Sequence, residues 1–410
     1  MENNLYTLFQ KQLSLVENQK LTHEESETMK ILKQPMNEII VNFPVKLENG
    51  ETMVLKGYRI QHNNFRGAFK GGLRFHEIVN LDECKALAGW MTIKCALQEL
   101  PYGGGKGGIK FNSRDYSKED LERISRAFCN AIHNYIGSDI DIPAPDVGTN
   151  SQIMDWMTSE YNIKSAKRDM AVFTGKSVKY GGSHCRSAAT GQGVTICIRE
   201  YAKWKNIDLK GKTYVLQGFG NVGSFTAQLL NTLGMVCVGV GDYSGYLTCT
   251  EGFNIHKLSD HVKVHGCIGE YESGLKVSKE EFFQKECDFM IPAALELQIT
   301  SEIANSLKCK TIVEAANGPT THDADDVLKQ KNIDILPDVL CNSGGVVVSY
   351  YEWLQNLRYE TWSKEYIEKQ LDERMVSTFS KVIFYSETKK CSLREACYVI
   401  SVENLAGYNH

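Results

Sequence analysis

Residues 214–223 read Tyr-Val-Leu-Gln-Gly-Phe-Gly-Asn-Val-Gly, a short apolar run followed by glycines at 218, 220 and 223. Apolar residues then recur at helical spacing over residues 225–233. Gly218 permits a tight turn, Gly220 lets a pyrophosphate approach the backbone, and Gly223 allows the helix to pack closely on the sheet. The stretch therefore predicts a strand–turn–helix unit that binds a dinucleotide.

The residues on either side of this motif support the same interpretation. Asn221 and Val222 lie at the predicted helix N-terminus, where free N–H groups and the positive end of the helix dipole attract phosphate. A second apolar run at 236–238 leads to Asp242, about twenty residues after the motif, where an acidic residue is expected to bind ribose. The alternative is a structural tight turn between a strand and a helix.

The fold class follows from the alternation of strands and helices in the second half of the chain. Short apolar runs at 214–216, 236–238, 289–291 and 311–313 are separated by helical patterns, as in a doubly wound parallel α/β sheet. We place the domain boundary at Gly181–Thr190, where two glycines loosen the chain. The later stretch 365–404 has long helical patterns.

The first half predicts a different arrangement of helices and strands. Residues 1–40 have an amphipathic helical pattern, and Asn49-Gly50 between alternating runs predicts a hairpin. Asn80 is a candidate N-cap for a helix from Leu81, and a further helix is expected over 118–135.

Composition excludes several classes of protein. The 410 residues carry a net charge of −4 with 42% hydrophobic residues, which disfavours a disordered chain and a general affinity for nucleic acid or anionic lipid.

Gly175-Lys176-Ser177 lacks the earlier glycine of a P-loop, because Met170 occupies that position. The 13 cysteines include no Cys-x-x-Cys pair, so we expect buried reduced thiols and no metal site. The N-terminus resembles no signal or transit peptide, which favours the cytoplasm.

Three lysines have unusual sequence surroundings. Lys70 precedes two glycines, Lys106 lies within the glycines 103–108, and Lys94 shares an apolar helix face with Met91. Lysine side chains are usually solvated, and that is the alternative for each of them. Clustered cations would bind carboxylates. Burial and repulsion between the lysines would also lower the pKa of one of them towards neutral pH.

Asp146 directly follows the stiff segment Pro143–Pro145. It is a candidate proton carrier, and the alternative is a helix N-cap or turn residue. We also expect a local excess of positive charge at this site, with the acidic residues spread elsewhere.

The motifs of the chain resemble those of the Glu/Leu/Phe/Val dehydrogenase family over residues 20–404. The resemblance rests on Lys-Gly-Gly-Leu-Arg-Phe at 70–75, Pro-Tyr-Gly-Gly-Gly-Lys-Gly-Gly at 101–108, Pro-Ala-Pro-Asp at 143–146, Ala-Thr-Gly-Gln-Gly at 189–193, Glu-Ala-Ala-Asn-Gly-Pro-Thr at 314–320 and Asn-Ser-Gly-Gly at 342–345. Cys185 departs from the glycine usual before Arg186.

The resemblance implies a role for each matched residue. Catalysis would fall to Lys106, which activates water, and Asp146, which transfers protons. The substrate would be held by Lys94 and Met91 at its α-carboxylate end and by Lys70, Arg186 and Ser349 at its distal carboxylate. The cofactor would be held by Thr190, Gly218, Gly220, Asn221, Val222, Gly223, Asp242, Asn317 and Asn342.

The resemblance further implies a two-domain α/β architecture. Residues 1–184 would form an α/β substrate-binding and oligomerisation domain, and residues 185–410 a Rossmann-like doubly wound dinucleotide-binding domain. An active-site cleft would separate them, and the last helices would pack back on the first domain.

The implied function is that of a cytoplasmic glutamate dehydrogenase of the small-subunit, homohexameric type. This oxidoreductase of amino-acid and nitrogen metabolism would interconvert L-glutamate with 2-oxoglutarate and ammonium. Asp242 favours NAD over NADP, and dual use stays open because Lys257, Lys263 or His265 could bind a 2′-phosphate. The alternatives are a branched-chain amino-acid dehydrogenase, disfavoured by Lys70, and a catalytically silent nucleotide-binding or assembly protein. A thiol redox or metal centre lacks any ligand spacing.

Overall fold

A computed structural model describes residues 4–165 and 168–408 and divides the chain into two compact units. The first unit comprises Met1–Arg186, Val346–Lys369 and Tyr398–His410. The second unit comprises Ser187–Gly345 and Gln370–Cys397. Within the described ranges, no helix is both long and apolar enough to cross a bilayer.

The first unit is built on a mixed five-stranded sheet in the order β1-β2-β4-β3-β5. Its strands are β1 (Asn37–Lys46), β2 (Thr52–Asn63), β3 (Phe69–Phe75), β4 (Gly104–Ile109) and β5 (Asp141–Pro145). Strands β1, β2 and β4 pair antiparallel, whereas β3 runs parallel to both β4 and β5.

Helices of the first unit begin where the sequence supplies N-cap side chains. They are α1 (Leu5–Ser14), α2 (His23–Leu32), α3 (Leu81–Leu97), α4 (Lys118–Ile132) and α5 (Ser151–Lys164). The predicted cap of α3 is confirmed, since Asn80 Oδ1 accepts a hydrogen bond from Glu83 N–H at 3.0 Å.

The hairpin predicted at Asn49-Gly50 is confirmed as the β1–β2 turn. The helical pattern expected to continue to residue 40 is wrong, because α2 ends at Leu32 and β1 begins at Asn37. There the apolar alternation of 39–41 pairs with β2 and overrides the helical spacing.

The glycines of β4 allow helix α3 to lie directly on the strand backbone. A Cβ at Gly104 would come within 2.4 Å of Ala88 O and of two Thr92 atoms, and a Cβ at Gly71 would stand 1.5 Å from Gly105 O. Glycines next to Lys70 and Lys106 predict that a ligand can approach the backbone closely, because no side chain shields it. That expectation is wrong at Gly71 and Gly104, because protein atoms occupy the space where their side chains would be.

The second unit contains the predicted doubly wound sheet, in the order β12-β11-β10-β6-β7-β8-β9. Its strands are β6 (Thr213–Gln217), β7 (Val236–Asp242), β8 (Gly245–Thr248), β9 (Leu275–Val277), β10 (Cys287–Pro292), β11 (Cys309–Val313) and β12 (Asp334–Leu336). Strands β12 to β7 are parallel, and the two edge strands β8 and β9 run antiparallel.

Helices separate the parallel strands, as the right-handed crossover between parallel strands requires. They are α6 (Ala189–Trp204), α7 (Asn221–Thr232), α8 (Ile255–His265), α9 (Lys279–Phe283), α10 (Ser301–Ser306), α11 (His322–Gln330) and α12 (Asp338–Cys341). The chain then forms α13 (Gly344–Arg358), α14 (Lys364–Lys389) and α15 (Leu393–Ala406), so the helical pattern predicted over 365–404 is confirmed.

All thirteen cysteines are free thiols, and ten of them are buried. The expectation of buried cysteines is therefore confirmed for these ten, whereas Cys249, Cys267 and Cys391 are only partly buried.

The close packing at β3 predicts that Gly71→Ala strongly destabilises the protein. A methyl group 1.5 Å from Gly105 O would force β3 and β4 apart, which we expect to lower the free energy of unfolding by at least about 3 kcal/mol. Differential scanning calorimetry would measure the change in melting temperature. Gly407→Ala is the matched control, because a Cβ there has no neighbour within 4 Å. Equal melting temperatures for the two variants would contradict this account.

Candidate active site

Lys106 and Asp146 form an ion pair at the centre of the first unit. Lys106 Nζ donates to Asp146 Oδ2, and both side chains are largely buried. Lys106 lies in the middle of β4, whereas Asp146 directly follows β5. The sheet therefore brings together two residues that are 40 positions apart.

Arg74 holds the other oxygen of the same carboxylate. Arg74 Nε donates to Asp146 Oδ1 at 2.9 Å, and the guanidinium also pairs with Glu83 on α3. Burial raises the pKa of Asp146, but Lys106 and Arg74 outweigh burial and hold that pKa well below its usual value. Asp146 is therefore ionised at neutral pH.

Lys70 is a second buried cation, and within residues 4–165 and 168–408 no carboxylate forms an ion pair with it. Its side chain is 1% exposed on β3, and Nζ donates to the carbonyl oxygen of Ile142 at 3.2 Å. Burial lowers the pKa of Lys70 to about 7, with further lowering by Arg186 and Arg59. The expectation that burial and repulsion bring one lysine near neutrality is thus met at Lys70.

Arg186 is close enough to Lys70 to repel it electrostatically. Burial lowers the pKa of Arg186, while Glu352 and Asp146 raise it. Its buried Nε atom has no hydrogen-bond partner among the described residues. The neighbouring Cys185 is buried, with Sγ 3.5 Å from the carbonyl oxygen of Lys364.

Helix α3 contributes Lys94 and Met91 from one face. Lys94 is 6% exposed and Met91 is half-buried. Burial raises the pKa of Cys95 to about 12, against the lowering influence of both Lys70 and Lys94. Lys70 and Lys94 therefore both lie close enough to Cys95 to influence its pKa.

Glu352 is a buried carboxylate near these cations that the sequence patterns did not reveal. It lies three residues after the buried Ser349 on α13, and therefore on the same helix face. Its carboxylate accepts hydrogen bonds from the N–H of Gly175 at 2.8 Å and from Lys176 Nζ at 2.9 Å. Its charge raises the pKa of both Lys70 and Arg186.

The acidic residues near these cations correct another expectation. Glu83 and Glu352 are buried and Asp146 is partly buried, each in an ion pair with a lysine or arginine, so the acidic residues are not all spread elsewhere. Burying a cation without a nearby anion costs folding free energy, so a ligand-free protein cannot keep several such cations. Only their ion pairs in the structure distinguish these carboxylates from surface ones.

The glycine motif of the second unit leaves room for a phosphate. Gly218 has a φ of +100°, and a Cβ on Gly223 would stand 1.9 Å from Gly218 O. A Cβ on Gly220 would meet nothing within 4 Å. Helix α7 begins at Asn221 without a side-chain cap, so the N–H groups of its first turn, including that of Val222, are available to an anion. These features fit a dinucleotide.

Asp242 ends β7 beside this turn and is already held by protein donors. Its Oδ1 accepts hydrogen bonds from the N–H and hydroxyl of Ser244, and its Oδ2 accepts from Ile268 N–H at 2.9 Å. A carboxylate has about four acceptor positions, so a ribose hydroxyl could still bind there.

Two of the remaining cofactor candidates are hydrogen-bonded to each other in the second unit, since Asn342 Nδ2 donates to Asn317 Oδ1 at 3.1 Å. Asn221 Nδ2 donates to the carbonyl oxygen of Ser187 at 2.9 Å. Ser187 lies three residues before the half-buried Thr190, which is in the first turn of α6. All of them lie near the carboxyl ends of the parallel strands, where ligands bind in open α/β sheets.

Comparison with family models matches both parts of the chain. The model described as Glutamate/Leucine/Phenylalanine/Valine dehydrogenase matches residues 181–410, and the model described as Glu/Leu/Phe/Val dehydrogenase, dimerisation domain, matches residues 35–163. The chain belongs to the Glu/Leu/Phe/Val dehydrogenase family.

Individual relatives in this family match nearly the whole chain. An NAD-specific glutamate dehydrogenase of Clostridioides difficile is 43% identical over 93% of this chain and 92% of its own. A glutamate dehydrogenase of Thermotoga maritima is 40% identical over 99% and 97%, respectively.

Solved structures from the family have the same fold. The hetero-hexameric glutamate dehydrogenase from Thermus thermophilus (Leu bound form) gives a TM-score of 0.95 at 30% identity, covering 99% of this chain and 96% of that one. The glutamate dehydrogenase from Peptoniphilus asaccharolyticus gives 0.83 at 36% identity, covering 99% and 98%. The α/β architecture predicted for this member of the Glu/Leu/Phe/Val dehydrogenase family is confirmed.

Burial of Lys70 predicts that Lys70→Met stabilises the ligand-free protein. Below pH 7 the lysine is charged in both the folded and the unfolded chain, so burying the charge costs on the order of a few kcal/mol. As the pH rises from about 7 to 10.5, the folded protein loses this proton first and the cost disappears. The gain in melting temperature should therefore be largest below pH 7 and shrink towards pH 10.

Lys176→Met is the matched control for this prediction. Lys176 is equally buried but is paired with Glu352, so its removal leaves an uncompensated carboxylate and should cost about 3 to 5 kcal/mol. Thermal melts of both variants at several pH values make the comparison. A lower melting temperature for Lys70→Met at pH 6 would contradict the interpretation of Lys70 as a strained cation.

Proposed function

We propose that the protein is a glutamate dehydrogenase that catalyses the reversible NAD-dependent oxidative deamination of L-glutamate to 2-oxoglutarate and ammonium. The observation that carries this proposal is a pair of neighbouring cations: Lys70 is buried, and Arg186 is half-buried with a buried Nε atom. No carboxylate among the described residues forms an ion pair with either of them. A substrate with a second carboxylate would supply the missing charge. The names of the relatives, at 40–43% identity over nearly the full chain, support the same substrate.

The substrate would be bound through both of its carboxylates. Lys70, Arg186 and Ser349 are proposed to hold the distal carboxylate. Lys70 and Arg186 are close enough in the first unit to influence each other electrostatically. Ser349 lies on the same face of α13 as Glu352, whose charge raises the pKa of both cations. Lys94 is proposed to hold the α-carboxylate, with Met91 beside it on α3.

Lys106 and Asp146 are proposed as the acid–base pair. When bound, the nicotinamide supplies the acceptor for the hydride that leaves the substrate α-carbon. Lys106 would then polarise the water that attacks the iminium carbon, and the ionised Asp146 would take a proton from that water. Arg74 would keep the Asp146 carboxylate oriented towards Lys106 throughout.

The cofactor proposed is NAD, bound by the second unit. Gly218, Gly220, Asn221, Val222 and Gly223 would bind the pyrophosphate. Asp242 would accept a hydrogen bond from ribose and repel a 2′-phosphate, and Thr190, Asn317 and Asn342 would line the nicotinamide side. NAD specificity in the names of relatives supports this choice over NADP.

Further features of the enzyme are proposed on the same basis. We propose a homohexamer in the cytoplasm. The hetero-hexameric relative from Thermus thermophilus supports six subunits, and the match to a dimerisation domain supports self-association. We also propose residues 1–184 as the substrate and assembly domain and residues 185–410 as the dinucleotide domain, with the last helices packing on the former and an active-site cleft separating the two.

The proposed function predicts a specific assay result. With 2-oxoglutarate, ammonium and NADH, absorbance at 340 nm should fall, and kcat/KM with NADPH should be at least about 100-fold lower because Asp242 repels the added phosphate. A branched-chain 2-oxo acid in place of 2-oxoglutarate should give almost no rate. Turnover of the branched-chain acid alone would identify a branched-chain dehydrogenase, and no turnover with either cofactor would identify a silent nucleotide-binding protein.

The proposed catalytic pair predicts that Lys106→Ala abolishes turnover. Without this cation, the attacking water is not polarised, and we expect kcat to fall by at least about 1000-fold. Binding of NADH, followed by its fluorescence, should stay within twofold of wild type. Lys110→Ala is the control, because Lys110 follows the same strand but is exposed. Near-normal turnover by Lys106→Ala would rule out the assignment.

A further inference from the structure

A single buried guanidinium in the second unit connects three carboxylates. Arg394, in the first turn of α15, donates to both oxygens of Glu314 at 2.8 and 2.9 Å. The same group lies 3.1 Å from Asp325 and 3.6 Å from Asp338. Arg394, Glu314 and Asp338 have side-chain exposures of 4%, 0% and 0%, so the solvent screens these contacts little.

Two of these carboxylates also bind the backbone of the segments that carry the cofactor candidates. Glu314 Oε2 accepts a hydrogen bond from Asp338 N–H at 2.9 Å, which joins the end of β11 to the start of α12. Asp338 Oδ2 accepts from Gly318 N–H at 2.8 Å. Gly318 has a φ of +47°, so this hydrogen bond fixes a left-handed turn directly after Asn317.

The two asparagines are fixed by the same arrangement. Asn342, which directly follows α12, donates from Nδ2 to Asn317 Oδ1 at 3.1 Å and to the carbonyl oxygens of Ala315 and Ala316 at 3.3 and 3.2 Å. Its buried Oδ1 atom has no hydrogen-bond partner among the described residues. An acceptor held in this way suits a ligand that presents an N–H group, such as a carboxamide.

We propose that Arg394 is a positioning residue for the cofactor: through Glu314 and Asp338 it fixes segment 314–318 and the start of α12, and so sets the positions of Asn317 and Asn342. This inference rests on the proposed function, because it assigns a role within the NAD site. Among the described residues, Arg394 has no hydrogen bond or ion pair with either asparagine, so it acts on them only through the two carboxylates.

A purely stabilising role explains the arrangement less well. Buried ion clusters are usually no more stabilising than apolar side chains of similar volume, since each charge must lose its hydration. Here one cation is shared among three carboxylates, and two of them use further lone pairs on backbone N–H groups of adjacent segments. Directional contacts of this kind fix geometry that apolar packing would leave adjustable.

The test compares Arg394→Lys with wild type in cofactor and substrate binding. Lysine keeps the charge but cannot donate to both Glu314 oxygens in a planar fork. We expect the Kd for NADH and the KM for NAD to rise about tenfold, with the KM for glutamate within twofold of wild type. Arg199→Lys is the control, because Arg199 also bridges two carboxylates of the second unit, Glu200 and Asp372, but lies in neither segment. The control should leave both constants unchanged.

The outcomes separate positioning from mere stabilisation. A lower melting temperature with unchanged NADH affinity would overturn the proposal, as would equal effects on the NAD and glutamate constants. If Arg394→Lys does not fold, Glu314→Gln decides in the same way, because it is isosteric and breaks the same bridge. Wild-type turnover is measured first, and its absence would contradict the proposed function. If wild-type turnover is normal and the variant binds NADH as tightly as wild type, only the inference about Arg394 is contradicted.

Discussion

Direct packing of helix α3 on the glycine backbone of β4 is the constraint on which the first unit depends. Because Gly104 lacks a side chain, the helix backbone at Ala88 and Thr92 lies against the strand. Lys94 on the helix and Lys106 on the strand are both buried in the same unit. Charges that would be solvated in a looser fold thereby lose their water, which is costly unless other charges compensate.

The compensation explains most of the polar residues around the site. Asp146 pairs with Lys106 and Arg74, while Glu352 pairs with Lys176 and acts at longer range on Lys70 and Arg186. The compensation remains incomplete at Lys70. A protein that keeps a cation in this state sacrifices stability for affinity, since a bound carboxylate would restore the lost interaction.

The second unit uses the same physical device for a different purpose. Its buried guanidinium, Arg394, has more than enough negative charge around it, and burial with the neighbouring Glu314 and Asp338 raises the pKa of Asp325 to about 6, despite Arg394. There the charges fix backbone segments relative to one another. In the first unit, by contrast, the charges leave Lys70 without an ion-pair partner among the described residues.

Local patterns were sufficient for much of this protein. The apolar runs and the glycine spacing at 218–223 gave the doubly wound sheet, and Asn80 and the Asn49-Gly50 turn located a helix start and a hairpin, because each depends on residues close in the chain. The motifs around Lys70, Lys106 and Asp146 singled out the candidate site for a similar reason. Only the folded structure shows which cation is left without a carboxylate. Only the folded structure shows that Glu352 and Arg394 belong to these networks, because their partners lie tens to hundreds of positions away in the chain. Burial and charge pairing act through space, so they became visible only once the chain was folded.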